Sequence, residues 1–256
     1  MQKGVIKKVH ETVLWQFLNS TVHAKTLIML WTVMIIVFIF CYIGVRNLTS
    51  GKPGKMQNVL EWIVDFVKNI LDEAMPKEKG RPLLFYMLSL IVFIFFSNQI
   101  GILPNVTLNL FHVFNVETAK LNEIFYGPLM MSPTADINVT MGLALLSITL
   151  VVSLGIKYKG VHYFGHFFQP FKVFVLVHTI DLIAKPLTLA FRLFGNIFAG
   201  EIMMAVILML PGIWALPGVL PLFVWQAFSV FIGTIQAYVF TVLTTAYISQ
   251  AVTPDE

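Results

Sequence analysis

The sequence has little charge and almost no cysteine. Asp, Glu, Lys and Arg make up 12% of its 256 residues, about half the share of an ordinary soluble domain. Hydrophobic residues make up 57%, and mean hydropathy is +0.82. No water-soluble fold of this length hides so much apolar surface, so soluble enzymes and nucleic-acid-binding modules are excluded. The single cysteine, Cys41, has no internal disulfide partner and lies in an apolar run. It reads as a packed or lipid-facing thiol, which leaves no redox chemistry. The six histidines (His10, His23, His112, His162, His166 and His178) lack metal-ligand spacing, and there is no phosphate-binding glycine loop. No metal, cofactor or bound ATP is expected.

What is present is an integral membrane protein, all-α, with about five membrane-embedded helices. A bilayer core of roughly 30 Å needs about 20 helical residues. Three windows without charge meet that length as plain spans, residues 26–45, 83–103 and 137–156, the second closed by Pro104. Beyond Lys172 the pattern changes. An apolar stretch at 173–210 carries Asp181, Lys185, Arg192 and Glu201, and a Pro/Gly-rich turn at 211–221 leads into an uncharged stretch at 222–252. The whole chain, 1–256, reads as one membrane domain. Its first 25 residues form a polar arm without the apolar core of a signal peptide, and residues 5–18 fit a short amphipathic surface helix.

Loop charges predict the orientation. Seven Lys and Arg lie between 46 and 81 and three between 157 and 172, against four in the amino-terminal arm, one between 105 and 136 and none in the 211–221 turn. The amino terminus is therefore expected outside and the carboxyl terminus in the cytoplasm, in a cell inner or plasma membrane. Within the first inner loop Val59, Ile63, Phe66, Val67, Ile70 and Leu71 recur at helical spacing, which predicts an amphipathic helix on the membrane surface or against a partner.

The last two stretches, 38 and 31 residues long, come to roughly 57 and 46 Å as helices. Both exceed the hydrocarbon thickness, which predicts two strongly tilted helices packed antiparallel, with Pro186 inside the first. Arg192 lies in the middle of that first arm, where burying a charged side chain costs about 2.5–3.5 kcal/mol on insertion scales. Its guanidinium remains cationic at any physiological pH. At about 100° per residue, Asp181, Lys185, Thr188 and Asn196 fall within about 40° of Arg192, and Glu201 falls about 180° away. Asp181 and Glu201 lie roughly 16 and 14 Å along the axis, too far to pair with Arg192 within the helix. The other spans offer no carboxylate, only polar groups such as Ser229, Thr234, Gln236 and Tyr238. An internal ion pair between helices is the bland account; a counter-charge supplied by another polypeptide is the alternative these spacings favour.

Three motifs then carry a resemblance. The run AKPLTLAFRLFGNIFAGE, residues 184–201, is similar to the signature of subunit a of rotary F-type ATP synthases of the bacterial type. PTADINVTMGLAL, residues 133–145, resembles that family's second motif, and IQAYVFTVLTTAYIS, residues 235–249, resembles its carboxyl-terminal helix. The resemblance covers about residues 60–252. It implies an ion-conducting stator subunit of the membrane sector, not catalytic alone, that offers two offset proton half-channels to a ring of c subunits. Each c subunit carries a mid-membrane carboxyl group, and ring rotation couples to ATP synthesis or hydrolysis. The implied partners are that c ring, the b-subunit peripheral stalk, the F1 head indirectly, and lipid. Arg192 matches the family's essential arginine. Asn196, Glu201 and Gln236 match residues tied to ion access, and Asp136 and Asn138 match the second motif. Some members carry histidine where Ser229 stands, and His178 with Asp181 lies in an often acidic cytoplasmic part of the arm.

Each residue also has a plainer account. Lys185 before Pro186 fits a snorkelling or helix-packing lysine, Asp136 an amino-terminal helix cap, Gln236 interhelical glue, and Gly195, Gly200 and Gly233 close helix packing. The competing reading of the whole chain is a self-contained secondary transporter or channel with a midplane substrate site. It predicts a second intramembrane acid or an internal repeat, and neither is found.

Overall fold

The computed structural model describes residues 14–17, 20–49, 51–113, 132–160, 174–208 and 216–253. Two short strands, β1 (Leu14–Phe17) and β2 (Ser20–His23), pair antiparallel with Leu14 opposite His23 and Phe17 opposite Ser20. The helices are α1 (Ala24–Val45), α2 (Lys55–Ala74), the single turn α3 (Lys77–Gly80), α4 (Leu84–Val113), α5 (Ile137–Lys159), α6 (Phe174–Leu208) and α7 (Leu216–Val252). Single 3-10 turns, Arg81–Leu83 and Pro133–Ala135, precede α4 and α5. Among the described residues five helices are long and apolar enough to cross a membrane, and apart from the short β1–β2 pair the chain is an α-helical, multi-pass membrane protein.

Four sequence expectations need correction. Residues 14–17 are a strand rather than the end of an amphipathic helix; residues 5–13 lie outside the described residues. The second span does not stop at Pro104 but continues as helix to Val113. The last helix begins at Leu216, so Pro221 lies inside it rather than in the turn. Prolines inside membrane helices are tolerated because neighbouring groups satisfy the freed backbone carbonyls. The fourth is Gly195, expected at a close helix contact, where an added side chain would meet nothing within 4 Å.

The long arms are continuous helices of 35 and 37 residues, the first running through Pro186, or roughly 52 and 56 Å. Their contacts descend on one as they climb on the other: Lys185 with Tyr247, Asn196 with Gln236, Gly200 with Trp225. That order makes them antiparallel. On α6 the buried residues Leu189, Ala190, Leu193 and Ile197 follow helical spacing. They pack with Met87 and Ile94 of α4, Ala144 and Ile148 of α5, and Phe240 and Ile248 of α7 in one core.

The amphipathic α2 turns Val67 and Leu71 into that core and leaves Trp62 and Phe66 exposed. Phe66 meets the ring of Tyr238 at 5.7 Å. Two bonds fasten this region to the end of α7, Ser249 Oγ donating to the Ala74 carbonyl and Lys79 Nζ to the Val252 carbonyl at 2.7 Å. Gly160, at φ 60°, closes α5 in a conformation that L side chains rarely adopt.

Candidate functional site

The face of α6 that carries Arg192 is open. Asp181, Thr188 and Asn196 are exposed, and Lys185 and Arg192 half-buried. Among the described residues none offers the Arg192 guanidinium a hydrogen bond or a carboxylate. Lys185, by contrast, is placed with its Nζ 5.2 Å from the centre of the Tyr247 ring, a cation–π contact that packs it against α7. The plainer account of Lys185 therefore holds. Asp181 stands exposed about three turns before Arg192, whereas the side chain of His178 lies outside the described residues.

One step toward α7, Asn196 Nδ2 donates to Gln236 Oε1 at 2.9 Å, while Gln236 Nε2 is buried without a partner among the described residues. Gln236 thus does act between helices, and it keeps a donor in reserve. A cavity of about 180 Å³ opens between the arms, lined by Asn196, Gly200, Trp225, Phe228, Ser229 and Ile232 among others. Ser229 is 7% exposed and its Oγ has no partner among the described residues. A buried hydroxyl in that condition is satisfied by water where there is room for it. Of the glycines expected to bring helices together, Gly195 does not, since a side chain there would meet nothing within 4 Å, whereas one at Gly200 would meet Ser229 Oγ of α7 at 3.8 Å, an ordinary contact. Both leave the Arg192 face and the cavity unobstructed.

Glu201 lies on the other flank of the buried stripe. Its Oε1 accepts the Ser132 backbone N–H at 2.8 Å. Ser132 Oγ donates to the Ser97 carbonyl at 2.6 Å and bonds Thr134 Oγ1 at 2.7 Å. Thr134 Oγ1 donates to Asn98 Oδ1 at 2.7 Å, and Asn98 Nδ2 donates to the Gly233 carbonyl at 2.8 Å. Gln99 Nε2 reaches the Val230 carbonyl at 3.1 Å and Thr234 Oγ1 at 3.3 Å. This polar belt joins α4, the turn before α5, α6 and α7. Ser97 Oγ and Gln99 Oε1 are buried within it without protein partners among the described residues.

Sequence reasoning found Glu201 and missed Ser97, Asn98, Gln99, Ser132 and Thr134. Three adjacent polar side chains inside an otherwise apolar span were the available signal for the α4 members.

Asp136 and Asn138 stand beside this belt and face a different task. Asp136 Oδ1 accepts the Asn138 backbone N–H at 2.9 Å and Asn138 Nδ2 at 3.0 Å, and Oδ2 accepts Thr26 Oγ1 at 2.9 Å. Asp136 is the amino-terminal cap of α5 and its tie to α1.

An arginine halfway along α6 without a partner among the described residues, a carboxylate on the opposite flank and an amide pair between the antiparallel arms are contributed by the first and third of the sequence motifs. Comparison with known proteins agrees. The profile of the family described as ATP synthase A chain matches residues 27–249. The ATP synthase subunit a of Desulforamulus reducens is 37% identical, in an alignment covering 92% of this chain and 82% of that one. That of Bacillus pumilus is 36% identical, covering 96% and 99%, and that of Bacillus subtilis 34%, covering 94% and 96%. With most of its length matched, the chain belongs to the ATP synthase A chain family.

Proposed function

We propose that this chain is the ion-conducting stator subunit of an ATP synthase, working against a ring of c subunits beside a b-subunit stalk and coupled through the ring to the F1 head. The single observation that carries the reading is Arg192: a permanent cation on an open face of a membrane helix, without a counter-charge among the described residues. A desolvated guanidinium requires one. A carboxylate passing on a rotating ring supplies it intermittently.

Two offset proton paths follow from the same helix. With the amino terminus outside, as loop charges indicate, α6 runs from the cytoplasmic to the outer surface. Glu201 then belongs to the outer path, with Asn196, Ser229 and Gln236 leading toward the ring; Asp181 and His178 belong to the cytoplasmic path. Asp136 and Asn138 stand near the outer opening. A proton enters past Glu201, neutralises a ring carboxylate, travels with the ring and leaves on the Asp181 side. The membrane potential contributes about 2.3 kcal/mol per charge for each 100 mV. Arg192 holds the deprotonated carboxylate between the paths and relays no proton itself.

The test is Arg192→Ala in sealed vesicles, with ATP synthesis measured in the intact complex and passive proton flux after removal of the soluble head. Synthesis is expected to be lost while flux persists or rises, because a carboxylate then exchanges protons with both paths without a full turn. Normal synthesis overturns the reading. A solitary chain that transports ions without ring or head favours the self-contained transporter instead.

A further inference from the structure

We propose that Gly101 is a positioning residue for the Glu201 carboxylate, its bare Cα being what allows the Ser132 backbone N–H and Glu201 Oε1 to meet. The proposal rests on the reading of Glu201 as part of the proton path and adds a residue that no motif contains.

The geometry is specific. A Cβ added to Gly101 would run into the Ser132 backbone nitrogen, and would stand 2.7 Å from Ser132 Cβ and 2.8 Å from Glu201 Oε1. Real Cβ atoms essentially never approach neighbours that closely. No flexible side chain can swing away to make room, because the nearest atom is backbone. That backbone is itself pinned: Ser132 Oγ is bonded to the Ser97 carbonyl and Thr134 Oγ1, and the Ala135 N–H donates to the Ser132 carbonyl at 3.0 Å.

Gly101 is one turn beyond Ser97 on α4, so the same helix that anchors the Ser132 hydroxyl supplies the gap for the Ser132 amide. A methyl at 101 must push the 132–135 turn off α4 or drive Glu201 from its donor. Either displacement breaks the bond at Oε1. The remaining glycines with resolved surroundings show no such approach to a charged group. Gly142 on α5 meets nothing within 4 Å and supplies a matched control.

The experiment compares Gly101→Ala, Gly142→Ala and Glu201→Gln in the assembled ATP synthase reconstituted in vesicles. Passive proton flux is read after removal of the head. The glutamate carboxyl band is read by infrared difference, using the Glu201→Gln complex to identify the Glu201 component. Gly101→Ala is expected to lower flux about tenfold, equivalent to about 1.4 kcal/mol in the barrier, and to move the Glu201 band toward that of a carboxyl without an amide donor. Gly142→Ala is expected to match the wild type in both.

Gly101→Ala with wild-type flux and an unmoved band overturns the proposal. Should Gly101→Ala fail to assemble, the wild-type band decides alone: a Glu201 carboxyl free of hydrogen bonding overturns the proposal, and a bonded one supports it. Wild-type flux in Glu201→Gln rejects instead the role of Glu201 in conduction, while the band still reports whether Gly101 positions it.

Discussion

Arg192 and Glu201 stand nine residues apart on one helix, and their surroundings are opposites. Glu201 has the Ser132 amide on Oε1 and, behind it, a belt of hydroxyls and amides running to α4 and α7. Around Arg192 there is an exposed face with small neighbours and no acceptor among the described residues. The buried stripe Leu189, Ala190, Leu193 and Ile197 lies between them. The difference teaches how to divide function within one chain. On the proposed function, a charge bonded inside the fold belongs to a fixed path, and a charge without a partner among the described residues belongs to a moving contact.

The sharpest way to break that comparison is Arg192→Lys, which preserves the charge but not the fork. A planar guanidinium meets a carboxylate with two bonds, and an ammonium is a compact donor whose pKa falls when desolvated. Coupled ATP synthesis driven by an imposed proton gradient is expected to fall about 100-fold, equivalent to about 2.7 kcal/mol. Retained synthesis shows that charge alone suffices.

Next in size is Glu201→Gln, whose amide oxygen still accepts from Ser132 and so leaves the belt assembled. Proton flux is expected to slow about tenfold rather than vanish, because water takes over part of the relay. Complete loss, or no change, contradicts that role.

A third test asks whether the two ends of α6 communicate with different sides. With Cys41→Ser as background, Glu201→Cys is expected to be inhibited by silver ions added to the outer side and Asp181→Cys from the cytoplasmic side. Inhibition of both from one side removes the two-path assignment. The smallest effect belongs to Asp136→Ala. Loss of the cap and of the Thr26 tie is expected to cost about 1 kcal/mol of stability, seen as a lowered unfolding temperature with flux unchanged. A flux defect as large as that of Glu201→Gln places Asp136 in the conduction path instead.

The sequence made the spans legible because the absence of charge over about 20 residues has a direct physical cause in the bilayer. The observed Ala24–Val45 and Ile137–Lys159 lie within a few residues of expectation. Element ends at prolines were less legible. Rules for prolines in water-exposed helices put stops at Pro104 and Pro221, and the membrane helices continue through both.

Arg192 was legible as a site because its cost is local and its helical angle follows from spacing. The Glu201 environment was not, since its donor is a backbone N–H, which every residue but proline possesses. Gly101 left no mark either: its importance lies in a distance to Ser132, thirty-one positions away.

The bonds from Asn98 and Gln99 to α7 bear on the making of the protein. Their acceptors, the carbonyls of Gly233 and Val230, leave the ribosome 135 and 131 residues later than the side chains they satisfy. Until α7 is inserted, α4 carries the Asn98 and Gln99 side chains in a hydrocarbon environment with those acceptors missing. The second span therefore waits for the fifth. That interval is when the nascent chain is open to insertion factors and membrane proteases, and a late truncation within α7 should be felt first in α4.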